Sequence, residues 1–411
     1  MDAQSLHTSR ELLDLPGAYE APTSETEKTI ASIWRAVFEI DDIGIDDDFF
    51  DLGGDSVKAT RITEEINLSL GNAFKAGQLV EHPTIREVAA AIDGEGVEDG
   101  AVKLPSHILT VRKGGIHTPL FIVHGLAGFF FPNAEYMGAF RDDQPIYAFQ
   151  VPGFDGQMEP LGTVEEIAEE YVKAVLAVDP DGPWHLAGMC SGCWITFEMA
   201  RRLKERGKEP GRVILIDPYI ERGRMREQFE TNRRVGASGP IALAASALSR
   251  TRLAYTRLKS KIGNYRATGL WISSTDPKAF DIPEVRQKSL EESRRNRKHP
   301  TRDEDGTGKE RFQNEALINK HRSDTGVYAS EVLRYAFYRY STDHSIDNHV
   351  DIIASEHLKK KLKNPHHPVC QAMPNHNIII AGRKHDDTVS TTTALNSSIM
   401  QDLIDKPIGK V

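Results

Sequence analysis

In the N-terminal quarter of the chain, apolar residues recur at helical spacing. Ser24 and Glu27 form a capping box, and Ile30, Ile33, Trp34, Val37 and Phe38 follow on one face, which predicts a helix buried along that stripe. A second helix is predicted from Ser56, burying Val57, Ala59, Ile62 and Ile66 and ending near Gly71. A third opens at Thr84, boxed by Glu87, and buries Ile85, Val88, Ala89 and Ile92. Residues 22–93 therefore read as a small helical unit after a polar tail, 1–21. The stretch DGEGVEDG (93–100) is acidic, glycine-rich and without periodicity, so 94–104 reads as a flexible linker. From 105 to 411 the rhythm changes. Short apolar runs at 119–123, 146–151, 184–187, 213–216, 350–354 and 377–381 alternate with helical stretches at 163–178 and 193–206. Such alternation predicts an α/β unit with a mostly parallel sheet covered on both faces. Residues 221–345 interrupt it. Their first part, 241–248 and 253–262, is helix-compatible, whereas 289–325 is dense in charge and poor in apolar residues, as mobile segments are.

Composition narrows the picture. The 411 residues carry a formal net charge of −9, which argues against nucleic acid as a main partner, although Lys/Arg clusters gather between 248 and 365. No apolar run approaches a membrane span, and the start lacks the basic and apolar regions of a signal peptide. Cys190, Cys193 and Cys370 are too few for a disulfide framework, so a reducing cytoplasm is expected and a thiol is left to react. His366, His367, His376 and His385 are too irregularly spaced to argue for a metal.

In DDDFFDLGGDSVKATRI (46–62), Gly53-Gly54 allow a tight turn and Ser56 opens a helix, where free N–H groups favour an attached anion. A turn with an ordinary helix cap is the plainer reading of G-G-D-S. The wider segment, with EHPTI before the last helix, resembles the carrier domain of non-ribosomal peptide synthetases. The resemblance implies 4′-phosphopantetheine on Ser56, placed there by a phosphopantetheinyl transferase, and upstream synthetase modules as partners.

WHLAGMCSGCW (184–194) holds G-x-C-x-G where α/β-hydrolases have G-x-S-x-G, the strained strand-to-helix turn that lifts a nucleophile above the sheet. Cys190 is the candidate nucleophile. The N–H of Ser191 and that of Leu126, in the FIVHGLAGF loop, are the candidate oxyanion donors. Three other readings compete: a buried structural cysteine, a Cys190–Cys193 redox pair, or half a zinc site without its other half. The run from YAFQVPGFDG to WITFEMARRL resembles the type I thioesterase domains that end peptide and polyketide synthases, with cysteine at 190 in place of serine and Cys193 in place of glycine.

That resemblance implies a triad acid after the next strand, which points to Asp217 in VILIDPYI. It also implies a histidine after the last strand, where NIIIAGRKHDDTV offers His385. The family's Gly-Asp-His is here Arg383-Lys384-His385, and His376, His366 and His367 are alternatives. The resemblance further implies that the 221–345 insertion is a lid. The expected activity is transfer of an acyl or peptidyl chain from Ser56 to Cys190, then release by hydrolysis, cyclisation or amide formation. A thioester on cysteine retains acyl activation that an oxoester on serine would lose. The rival expectations are a carrier and docking module with a silent hydrolase fold, and a proofreading thioesterase acting in trans.

Overall fold

The computed structural model describes residues 17–54, 56–71, 78–94, 104–132, 134–155, 157–219, 324–391 and 393–406, with a few single positions besides. Four helices come first: α1 (Glu25–Phe38), α2 (Ser56–Leu70), α3 (Gln78–Glu81) and α4 (Ile85–Asp93). Both capping boxes form, so each of these helices starts with two of its orphan N–H groups satisfied. Gly94 ends α4 in the left-handed region at φ 75°. Ile30, Trp34, Phe49, Ile62, Ile66 and Val88 pack the core of this unit, with Phe49 edge-on to Trp34 at 5.6 Å. Helix α3 is too short to leave a periodic signal.

The larger unit is a seven-stranded sheet of β1 (Ile108–Arg112), β2 (Leu120–Val123), β3 (Ile146–Phe149), β4 (His185–Met189), β5 (Val213–Ile216), β6 (Val350–Ala354) and β7 (His376–Ile380). The strand order is β1-β3-β2-β4-β5-β6-β7, and every pairing is parallel except β1 with β3. Strand β1 was not among the expected strands: ILTVR is short, carries polar residues on an edge, and pairs with a partner distant in the chain. The strand expected at 377–381 begins one residue earlier, at His376. Helices α5 (Ala134–Gly138), α6 (Val164–Val178), α7 (Gly192–Glu205) and α8 (Asp324–Arg339) flank the sheet. Successive residues of β2 divide between two apolar layers. Phe121 and Val123 join α6 and α7 on one face, whereas Leu120 and Ile122 join Tyr136 and Met400 on the other.

Helix α8 and Tyr340 belong to the interruption of the sheet. The Tyr340 hydroxyl donates to Glu198 on α7 at 2.8 Å, and Glu198, only 1% exposed, also pairs with Arg201 and Arg202. Apart from a few single positions, the remaining expectations for the insertion, with the charged stretch 289–325 up to residue 323 and the linker residues 95–103, lie outside the described residues. No helix among the described residues is long and apolar enough to cross a membrane.

The helical unit packs on the edge of the sheet. Leu109 of β1, 5% exposed, belongs to the apolar core of α1–α4, with Val111, Phe131 and Ala134 against it. The Phe131 ring lies 5.5 Å from that of Phe50 and 6.0 Å from that of Phe49, and Glu81 accepts the Thr110 N–H at 3.1 Å.

Candidate active site

Three strand ends converge. Cys190 follows β4, and its N–H donates to Ile216 O at 2.9 Å, which fixes it at the top of the sheet ahead of α7. Its φ of 55° lies in the left-handed region, the strained conformation of a nucleophile elbow. The flanking glycines are required by contact rather than by dihedral freedom. A Cβ on Gly188 would stand 2.2 Å from Thr196 Oγ1, and one on Gly192 would stand 1.9 Å from His124 O. The elbow and the loop after β2 are therefore pressed together.

Asp217 follows β5 and is also left-handed, at φ 44°. An aspartate tolerates this conformation better than most residues. It is 4% exposed; one oxygen, Oδ1, accepts the Ser355 N–H at 2.6 Å, and the other lies 2.7 Å from His385 Nδ1. His385 opens the one-turn helix His385–Thr388 beyond β7, and its Nε2 lies 3.0 Å from Cys190 Sγ. Cys190, His385 and Asp217 thus form one hydrogen-bonded line. Burial works to depress the imidazole's pKa, but hydrogen bonds and charge interactions with Asp217 and Cys190 outweigh it and push His385 up to about 10.

The other histidines go elsewhere. His376 opens β7 at the opposite end of that strand, with Nδ1 2.6 Å from Met373 O. His367 caps the short helix Pro368–Ala372. Cys193 is buried, and its thiol donates to Gly188 O at 3.1 Å; burial raises its pKa well above the usual thiol value, so it packs as a neutral group within the elbow. No group of three or more His, Cys, Asp or Glu among the described residues is placed to hold a metal ion.

Several residues at the site were not anticipated. His124 is fully buried, and burial depresses it to about 4, so it is neutral with a single ring N–H. Its Nδ1 lies 2.8 Å from Gly125 O and its Nε2 2.7 Å from the Tyr171 hydroxyl, which itself donates to Gln150 O at 3.0 Å. The Gly125–Leu126 peptide is thereby held, because fixing its C=O fixes the opposed Leu126 N–H. Gly125 sits directly over the elbow: a Cβ there would be 3.4 Å from that of Cys190. Tyr219 also borders the site. Its N–H donates to Cys190 O at 3.2 Å, and its ring lies 5.2 Å from His385. The adjacent H-G pair marks His124 in the sequence. Nothing local marks Tyr171 or Ser355, which reach the site from remote elements.

Ser56 begins α2, a helix of 15 residues, behind the Gly53-Gly54 turn. Gly53 is left-handed at φ 80°, and a Cβ on Gly54 would meet the Phe49 ring at 2.2 Å. The turn thus delivers Ser56 to the first turn of a helix, a position that suits a phosphodiester anion.

The fold and the elbow define an α/β-hydrolase. Residues 118–324 match the thioesterase domain and residues 28–92 the phosphopantetheine attachment site. The first match covers half of the chain. The protein belongs to the thioesterase family, with a phosphopantetheine carrier domain ahead of its hydrolase domain. It is 34% identical over 202 residues to chondramide synthase of Chondromyces crocatus, covering 48% of this chain and 5% of that protein. To the dimodular nonribosomal peptide synthase of Bacillus subtilis (strain 168) it is 32% identical over 198 residues, 48% of this chain and 8% of the relative. A four-domain nonribosomal peptide synthetase solved with AMP and glycine aligns at 18% identity and TM-score 0.46, over 95% of this chain and 26% of that one. The chain therefore spans a small part of the length of these relatives.

Proposed function

We propose that this protein takes an acyl or peptidyl chain from phosphopantetheine on Ser56 onto Cys190 and releases it, as a terminal step of non-ribosomal peptide assembly. The observation that carries this reading is the line Cys190–His385–Asp217, with contacts of 3.0 and 2.7 Å, at the elbow of a thioesterase-family domain joined to a carrier domain. The prosthetic group, when attached, supplies a thiol that holds the chain as a thioester. Cys190 Sγ gives its proton to His385 Nε2 and attacks the carbonyl of that thioester. The N–H groups of Leu126 and Ser191 receive the developing oxyanion. His385 Nε2 protonates the departing thiol as its C–S bond breaks, leaving the chain on Cys190. The neutral imidazole then takes a proton from water, or from an amine or hydroxyl of the chain, as that group attacks; the C–S bond to Cys190 breaks and the thiol recovers its proton. Asp217 holds the ring with Nδ1 protonated. Thioester-to-thioester exchange keeps the acyl group activated, which suits ring closure or amide formation as well as hydrolysis.

Peptide mass spectrometry after acyl loading of Ser56 tests this, with wild type compared to Cys190→Ala. Acyl mass should reach the Cys190 peptide and then leave, in the wild type alone. Acyl mass that stays on Ser56 in both proteins would mean that the hydrolase domain is silent.

A further inference from the structure

The contact between the helical unit and the sheet has the makeup of a built seat. On β1, Ile108 faces the hydrolase core, whereas its neighbour Leu109 is buried in the core of the carrier domain. Without the carrier, Leu109, Val111, Phe131 and Ala134 would form an uncovered apolar patch on a sheet edge, a feature that soluble proteins seldom leave open. The edge is also chemically matched. Among the described residues, Thr110 N–H belongs to a strand with no strand neighbour on that side, and Glu81 of α3 supplies its acceptor.

Both partners in this contact lead directly to reacting residues. On the carrier side, the carbonyls of Phe49 and Phe50 accept the N–H groups of Gly54 and Gly53, so the phenylalanines that meet Phe131 also hold the turn from which Ser56 projects its helix. On the hydrolase side, Phe131 ends the loop that begins with His124, Gly125 and Leu126. Its own carbonyl accepts from Thr391 Oγ1 at 3.2 Å, in the segment just beyond the His385 helix.

We propose that the β1 edge and Phe131 form the delivery seat for this chain's own carrier domain, from which acyl transfer between Ser56 and Cys190 proceeds. The delivery role rests on the reading of Cys190 as nucleophile; the seat itself does not.

The test uses the full chain and has two readouts. Hydrogen exchange of the Thr110 amide reports seating without any chemistry. Single-turnover transfer from acyl-loaded Ser56, set beside turnover of a soluble acyl-N-acetylcysteamine thioester, reports delivery. Phe131→Ala should speed Thr110 exchange and slow transfer from Ser56 by about tenfold or more, because the effective concentration of the tethered donor falls. It should leave soluble-thioester turnover unchanged. Glu81→Ala should speed Thr110 exchange, whereas Glu81→Gln, which keeps an acceptor oxygen, should match wild type. Unchanged Thr110 exchange in both Phe131→Ala and Glu81→Ala would overturn the seat. Faster exchange with undiminished transfer would overturn its delivery role, and accelerated transfer would make it a resting place withdrawn from catalysis, which overturns that role too. If wild-type Cys190 is acylated from neither donor, the thioesterase reading fails and takes the delivery role with it, while Thr110 exchange still decides whether the seat exists.

Discussion

At the scale of single residues, the site depends on two histidines in opposite protonation states. His385 is raised to about 10, so folding gains from its protonation. That gain is complete below its ordinary value, about pH 6.5, and is lost as pH rises through about 10. Asp217→Asn should bring the titration of His385 down, visible in the ring-nitrogen shifts, and slow acylation of Cys190 by roughly 10²–10⁴-fold through loss of the correct tautomer. Normal acylation in that variant would remove Asp217 from the mechanism. His124, depressed to about 4, acts by position. His124→Asn can keep a donor near Nδ1 and hold Gly125 O, whereas His124→Gln places its amide near Nε2. We expect kcat to fall by about tenfold to a hundredfold in the Gln variant, less than the roughly 10²–10³ that loss of a whole oxyanion donor costs, with KM little changed. Equal effects of the two substitutions would make His124 a packing residue only.

At the scale of elements, α7 follows Cys190 directly and is held from outside by Tyr340, just beyond α8. Glu198 is nearly inaccessible, and its charge is offset by Arg201 and Arg202. Removing one side of such a pair leaves an uncompensated buried charge, so Glu198→Ala should destabilise by about 3 kcal/mol or more in urea denaturation. Tyr340→Phe removes the hydroxyl's bond to Glu198 and should cost about 1–2 kcal/mol. If both variants lose the same stability, the ion pairs contribute nothing beyond the tyrosine contact. The clamp was not legible in the sequence, because its two halves lie on either side of the long interruption. The capping boxes of α1 and α4 were legible, because Ser24 with Glu27 and Thr84 with Glu87 close their hydrogen bonds within a single turn.

At the scale of the whole molecule, two apolar cores meet through Leu109 and Phe131, so the carrier and hydrolase domains should unfold with coupled transitions. Phe131→Ala gives up packing of a half-buried ring, worth about 2 kcal/mol, and should separate an earlier carrier transition in calorimetry. Identical scans would show that the contact adds no stability. The sequence marks the two units separately, with a linker at 94–104 between them, because an edge strand such as β1 declares its partner only when a surface of matching shape covers it.

The sequence by itself determined what local chemistry can specify. Short apolar runs and period-3.6 patterns drew most of the strands and helices, the glycines at 188 and 192 marked the elbow, and Gly53-Gly54 marked the turn before Ser56. The G-x-C-x-G elbow nominated Cys190, and the resemblance to thioesterase domains nominated Asp217 and His385. Tertiary structure decided what depends on distance. It set His385 rather than His376 beside the thiol, because the two lie at opposite ends of β7 and only one end faces the elbow. It brought Ser355 to Asp217 and Tyr171 to His124 from elements far apart in the chain. It covered β1 with the carrier. Hydrogen bonds between remote residues leave no periodic trace, since their geometry exists only once the sheet has aligned its strand ends.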